Sequence, residues 1–153
     1  KLTIFGTGYV GLVTGTCFAE MGNNVTCVDI DEDKINQLIK GGVPIYEPGL
    51  EELIQSNCKQ NRLSFTTSSS DGIKNSNIYV IAVGTPMSEN GDANLENVFN
   101  VAKSIGEQIS EKSIIIRSIK AELCSSRNTL FSRRIKINNS VKVEIARIPS
   151  VLI

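Results

Sequence analysis

The chain opens on a short apolar run, Leu2-Thr3-Ile4-Phe5, followed at once by Gly6, Gly8 and Gly11 in a G-x-G-x-x-G spacing. Few local patterns limit a fold as tightly, because each glycine answers a different steric demand. Gly6 allows a tight turn out of a strand, Gly8 lets backbone come close to a diphosphate, and Gly11 lets a helix pack closely on the strand it leaves. A helix starting here points amide donors, and the positive end of its dipole, at one spot. A second apolar run, Val25-Thr26-Cys27-Val28, ends in Asp29, 23 residues beyond Gly6. That is the separation expected of a carboxylate that accepts hydrogen bonds from ribose hydroxyls. The pattern predicts a dinucleotide site, and the acid at 29 favours NAD over NADP, whose 2′-phosphate would meet a like charge. The rival reading is a glycine-rich strand-to-helix turn that binds nothing, which leaves the spacing and Asp29 as coincidence.

With 153 residues, 41% of them hydrophobic, the chain is expected to form one domain over 1–153 with a sizeable core. Its 16 basic and 16 acidic residues cancel, so no nucleic-acid partner and no membrane surface is implied. The basic cluster Arg133-Arg134-Lys136 is read as a solvated helix end. No run of about eighteen apolar residues and no basic-apolar-small leader occurs, and a cytoplasmic location is the expectation. Cys17, Cys27, Cys58 and Cys124 are scattered without metal-ligand spacing, with Cys17 and Cys27 on apolar faces. They are read as free structural thiols. The chain has no histidine, so the commonest general base and metal ligand is missing. No metal site and no catalytic residue is assigned.

Along the chain, strand-like and helix-like patterns alternate. Between the first two strands, Val10, Val13, Cys17, Phe18 and Met21 fall at helical spacing over 10–21. Asp31 is placed to cap a second helix bearing Ile35, Leu38 and Ile39, which Gly41-Gly42 ends. Two prolines in Val43-Pro44-Ile45-Tyr46-Glu47-Pro48-Gly49-Leu50 make that stretch an ordered loop before a helix over 50–57. A strand at 63–67, a short helix at 71–74 and the apolar run 78–83 follow; the last has the unbroken pattern of a central parallel strand buried on both faces. It ends in Gly84-Thr85-Pro86, a corner placed at the carboxyl end of the sheet, where open α/β sheets bind ligands. A helix over 95–109 and a strand at 113–116 come next, then a helix over 121–132 and a last strand over 141–146. The fold class is therefore α/β: a Rossmann-type doubly wound, mainly parallel sheet with helices on both faces.

Three stretches together, Gly6-Thr7-Gly8-Tyr9-Val10-Gly11-Leu12-Val13, Pro44-Ile45-Tyr46-Glu47-Pro48-Gly49-Leu50 and Val83-Gly84-Thr85-Pro86, resemble the amino-terminal NAD-binding domain of the UDP-glucose 6-dehydrogenase (UDP-glucose/GDP-mannose dehydrogenase) family. The middle stretch, continued by Glu51-Glu52-Leu53, is the distinctive one. The family oxidises the C6 hydroxymethyl of a UDP-hexose to a carboxylate in two hydride transfers to NAD, through a thiohemiacetal on a cysteine. The resemblance implies that Gly6, Gly8, Gly11 and the Tyr9 and Val10 amides hold the pyrophosphate. Asp29 then holds the adenosine ribose with Lys34 beside it, Thr85 faces the nicotinamide half, and Gly84 and Ser118 are further cofactor-binding positions. A solvated helix residue is the other reading of Lys34, and a hydroxyl capping the strand-to-loop corner that of Thr85. For Tyr46 and Glu47 the resemblance implies contact with ligand or a partner domain, and structural packing of the proline-rich loop is the other reading.

The likeness covers about residues 1–116 and degrades over 117–153. Where the family has Lys-Ser-Thr-Val-Pro-Val-Gly, this chain has Arg117-Ser118-Ile119-Lys120-Ala121-Glu122-Leu123, so Ile119 replaces a threonine; Ser150 stands where the family has a glutamate credited with acid-base work. None of the four cysteines has the family's Gly-Gly-Ser-Cys setting, and the catalytic-cysteine and UDP-binding domains are expected to be absent. The chain alone is thus expected to bind NAD without completing the oxidation, to meet a UDP-sugar only with a missing domain, and to allow self-association, a homodimer being the form to test. An excised domain, a drifted truncated product and a frame shifted near residue 117 all stay open. So do a non-catalytic NAD-binding or interaction module and a fragment acting on another nucleotide sugar.

Overall fold

The computed structural model describes residues 1–74, 76–109, 113–119, 134–138 and 141–149. Strand β1 (Leu2–Phe5) lies inside the sheet. It is flanked in parallel by β2 (Val25–Val28) and β4 (Ile78–Ile81), with β3 (Leu63–Thr66) outside β2 and β5 (Ile114–Ile119) outside β4. The order β3-β2-β1-β4-β5 continues into β7 (Val141–Pro149), parallel to β5, and β6 (Arg134–Asn138), antiparallel to β7. Strands β1, β2 and β4 alternate their side chains between two faces, as the period of two requires. Leu2, Ile4, Val25, Cys27, Leu63, Phe65 and Val80 pack on one face under α1 (Tyr9–Glu20), α2 (Glu32–Ile39) and α3 (Leu50–Lys59). Phe5, Val28, Tyr79, Ile81 and Ile115 pack on the other under α4 (Ser69–Ile73) and α5 (Glu96–Gln108). The expected doubly wound α/β sheet is therefore what forms, with β4 as its buried central strand.

Helix α1 departs from the expectation. Its buried residues are Gly11, Leu12, Gly15, Thr16 and Ala19, whereas Cys17 is exposed and Met21 is 75% exposed. The line of contact runs along Gly11, Gly15 and Ala19, four residues apart, because the helix lies almost on the strands. A Cβ on Gly15 would come 2.7 Å from Cys27 Sγ and 3.3 Å from Ile4 Cδ1. Apolar spacing marks bulky residues and so overlooked a face built from small ones. Buried Thr16 donates to Leu12 O at 2.8 Å, which satisfies its hydroxyl within the helix.

Helix α4 seats the same way on the far face. A Cβ on Gly72 would lie 2.4 Å from Val28 Cγ2 and 3.1 Å from Thr3 Cγ2. The fully buried Thr3 hydroxyl donates to Gly72 O, one of the carbonyls that the end of a five-residue helix leaves without a partner. A polar knot ties α1, α3 and the start of β3. Buried Asn57 donates to Glu20 Oε2 and to Leu53 O, both at 2.8 Å, while Arg62 Nε donates to Asn57 Oδ1 at 2.9 Å and to Ala19 O at 3.0 Å.

Two further differences concern the end of the chain. Arg134 and Lys136 belong to strand β6, not to a helix end: Ile135 and Ile137 alternate with them, a period of two that suits an edge strand. Strand β7 runs three residues past the expected Ala146, to Pro149. The helix expected over 121–132, with Cys124, and Arg133 lie outside the described residues.

Gly72→Ala should lower stability by about 1–3 kcal/mol, since the new methyl must displace Val28 or lift α4. Urea unfolding would show it as a lower midpoint at unchanged slope, and a wild-type midpoint would refute the tight seat. Burial, with the nearby Cys58 second, pushes the Cys27 thiol up to about 12. Iodoacetamide should accordingly modify exposed Cys17 and spare Cys27 in the folded chain, as peptide mass mapping would record.

Candidate cofactor site

The carboxyl ends of β1, β2 and β4 meet at one edge of the sheet, and the chain's order reverses between β1 and β4. Such a reversal leaves a crevice where α/β sheets bind ligands. Gly6 turns the chain there at φ +100°, donating its amide to Val28 O at 2.7 Å. Its missing Cβ would sit 2.6 Å from Ala82 O, so the turn is pressed against the end of β4. A Cβ on Gly11 would fall 1.9 Å from Gly6 O, which only glycine avoids. Gly8 differs: a Cβ there would meet nothing within 4 Å. Its lack of a side chain serves no packing inside the chain and leaves open space over the backbone.

That space lies over the start of α1. Gly8 is the N-cap and supplies no side-chain bond, and the first turn holds no acidic residue. The first amides of a helix have no partner within it. Among the described helices α1 is alone in lacking an acid in its first turn: α2 has Glu32 and Asp33, α3 has Glu51 and Glu52, α4 has Asp71 and α5 has Glu96. An uncapped, acid-free helix start with a glycine opening onto it fits a bound diphosphate by charge, donor set and space.

Asp29 follows β2 and is half-buried. Its Oδ2 accepts from the Thr7 amide at 2.6 Å and the Thr7 hydroxyl at 2.7 Å, and its Oδ1 accepts from the Asp31 amide at 3.1 Å. Burial pushes the carboxyl up, but the two Thr7 bonds, the Asp31 amide and the charge of Lys34 together outweigh it, and its pKa lies below the ordinary value. Thr7, 1% exposed, is the residue that sequence reasoning missed. Its position between Gly6 and Gly8 was in view, but nothing local says that a hydroxyl there reaches a residue 22 positions on.

Asp31 caps α2, accepting from the Lys34 amide at 3.1 Å, and Lys34 Nζ pairs with Asp31 Oδ2 at 3.3 Å. Lys34 therefore acts on Asp29 through its charge. Tyr9 donates its hydroxyl to Glu47 Oε2 at 2.8 Å, which raises the Tyr9 pKa and joins the proline-rich loop to the first turn of α1. Tyr46 beside it is 94% exposed. Gly84 accepts from Asn97 Nδ2 at 3.3 Å, and half-buried Thr85 follows it at the carboxyl edge of β4. Ser118 lies in β5, its backbone paired with Ile148 of β7. The structure thus brings Gly6, Gly8, Tyr9, Val10, Gly11 and Asp29 around one turn and sets the Gly84-Thr85 corner on the same sheet edge. A cavity of about 710 Å³ lined by Lys1, Lys74, Asn77 and Ser113 lies at the opposite, amino-terminal edge and includes none of them. Among the described residues no cluster of three or more His, Cys, Asp or Glu could hold a metal ion.

The chain is similar to known proteins in sequence and in fold. The family model described as the NAD-binding domain of the UDP-glucose/GDP-mannose dehydrogenase family matches residues 1–152. The chain is 53% identical over 116 residues to the UDP-glucose 6-dehydrogenase TuaD of Bacillus subtilis, covering 76% of this chain and 25% of that protein. It is 45% identical over 116 residues to the UDP-glucose 6-dehydrogenase of Pseudomonas aeruginosa, covering 76% and 26%. Among solved structures, a ternary complex of GDP-mannose dehydrogenase from Pseudomonas aeruginosa superposes with a TM-score of 0.72 at 38% identity, over 76% of this chain and 27% of that one. A UDP-glucose dehydrogenase from Pyrobaculum islandicum does so at 0.71 and 34%, over 76% and 28%. The chain spans about a quarter of the length of these relatives. With its glycine turn, uncapped α1 and Asp29 in place, the chain belongs to the UDP-glucose/GDP-mannose dehydrogenase family, as its NAD-binding domain.

Proposed function

We propose that residues 1–153 act as one NAD-binding unit whose glycine turn and first amides of α1, at Gly6, Gly8, Tyr9, Val10 and Gly11, hold the pyrophosphate. Asp29 accepts from the adenosine ribose. Lys34 stays paired with Asp31 and supports the charge of Asp29 from the side. Gly84, Thr85 and Ser118 face the nicotinamide half, at the carboxyl edge of β4 and β5. The observation that carries this reading is the open direction above Gly8 at a helix start with neither cap nor acid. Bound there, NAD supplies a hydride acceptor; the protein's part is to orient it and to keep the ring end at the crevice.

Oxidation of a UDP-hexose, and with it a place in nucleotide-sugar metabolism, is proposed for the whole protein of which such a domain is about a quarter. A nucleotide sugar and a homodimer enter the reading only with that remaining length. The free thiols Cys17, Cys27 and Cys58 suit a reducing, cytoplasmic compartment. A non-catalytic NAD-binding module is the second reading, favoured by Ile119 and Ser150 at positions where the family carries threonine and glutamate.

Calorimetric titration tests the site directly. NAD should bind saturably, NADP more weakly, and Asp29→Ala should weaken NAD by about tenfold or more, the loss expected of a hydrogen bond to a charged group. Wild-type affinity in Asp29→Ala would rule out the ribose contact. Gly8→Ala is the complementary test. Its φ of −68° and ψ of −176° suit alanine, so stability should hold while the methyl fills the cradle and NAD affinity falls by about an order of magnitude. Unchanged affinity there would move the pyrophosphate elsewhere.

A further inference from the structure

The Thr7 contact with Asp29 does more than close a loop. An ionised carboxylate offers about four lone-pair sites. Three are taken, two at Oδ2 by the amide and hydroxyl of Thr7 and one at Oδ1 by the Asp31 amide. Thr7 is buried and Asp29 only half-buried, so the contact is made on the buried side of the carboxylate and one acceptor site at Oδ1 is left. The charged groups about Asp29 are Lys34 of α2 and Asp31 of its cap, which pair with each other. The glycine turn, Gly6-Thr7-Gly8, brings no titratable group, and β3 contributes the Thr66 carbonyl, which accepts from the Asp29 amide at 3.2 Å.

We propose that Thr7 is a positioning residue for cofactor choice. By holding Oδ2 of Asp29 with both its amide and its hydroxyl, it leaves Oδ1 as the acceptor for one ribose hydroxyl and keeps a full negative charge where a 2′-phosphate would have to lie. The proposal rests on the NAD reading above and deepens it. The amide bond belongs to any residue at this position; the hydroxyl is the part that the side chain adds, and it is the part that fixes the carboxylate's rotation.

Thr7→Val keeps the amide and removes the hydroxyl, and Thr7→Ser restores it. In the ligand-free chain, the pH titration of the Asp29 carboxyl carbon followed by NMR should have its midpoint below the ordinary carboxylate value. Thr7→Val should move that midpoint upward, because a bond favouring the charged form is gone while burial still opposes it, and Thr7→Ser should bring it back. NAD affinity should fall about two- to tenfold in Thr7→Val, the cost of ordering a side chain no longer held in advance, and recover in Thr7→Ser. In an Asp29→Ala background the Thr7→Val loss should vanish, since Thr7 acts through Asp29. An unmoved Asp29 titration, or equal losses with and without Asp29, would overturn the proposal while leaving NAD binding intact. A wild-type chain that takes no NAD would overturn the NAD reading and this role together, and the wild-type titration alone identifies that case.

Discussion

The structure depends on how closely the turn at Gly6 is packed. That turn lies between the end of β4 and the start of α1, with Ala82 O on one side and the Cα of Gly11 on the other. A side chain at either glycine would push helix from strand, and the shift would reach everything the helix covers. The consequence runs along the whole of α1, which meets the sheet through Gly11, Gly15 and Ala19 with Leu12 buried beside them. Close packing at this line brings the first amides of α1 to the same height as the ends of β1 and β4. The chemistry of the crevice thus follows from a steric condition met by small residues.

Polar contacts then hold the helix at both ends of this seam. At its amino end Tyr9 bonds Glu47, joining α1 to the loop that leads into α3. At its carboxyl end Glu20 bonds Asn57, and Arg62 reaches Ala19 O. The knot at the carboxyl end is the more buried of the two, centred on an Asn57 with no solvent exposure, and so the more costly to open. The Tyr9 end is exposed and lies beside the proposed ligand.

Much of this was legible in the chain. The three glycines, the apolar run ending in Asp29, the Asp31 cap and the unbroken run 78–83 each carry a local signal with one steric or electrostatic meaning, and each sits where that meaning put it. What was hidden is what depends on residues far apart. The inward face of α1 escaped because periodicity counts large apolar residues, and the contact is made by the absence of side chains. Thr7 escaped because its partner is in another strand. Glu47 was open between structural packing and contact with ligand or a partner domain, and its bond to Tyr9 is visible only once α1 and the proline-rich loop lie side by side. Strand β6 was read as a helix end because a basic cluster drew attention from the alternation of Ile135 and Ile137.

The charge on Asp29 shows how fold and function meet. A half-buried carboxylate is pushed toward its neutral form, and a neutral acid there would neither repel a 2′-phosphate nor accept strongly from a ribose. The domain offsets this with donors that the fold already supplies: the amide and hydroxyl of Thr7 from the glycine turn, and the Asp31 amide from the start of α2. Both sets come from the loops that leave β1 and β2, neighbours in register from Leu2 and Val25 to Phe5 and Val28. The pairing of these two strands therefore helps to keep Asp29 ionised. A one-residue slip in that register would separate Thr7 from Asp29 and would also break the bond from the Gly6 amide to Val28 O, so the charge on Asp29 and the shape of the glycine turn depend on the same pairing.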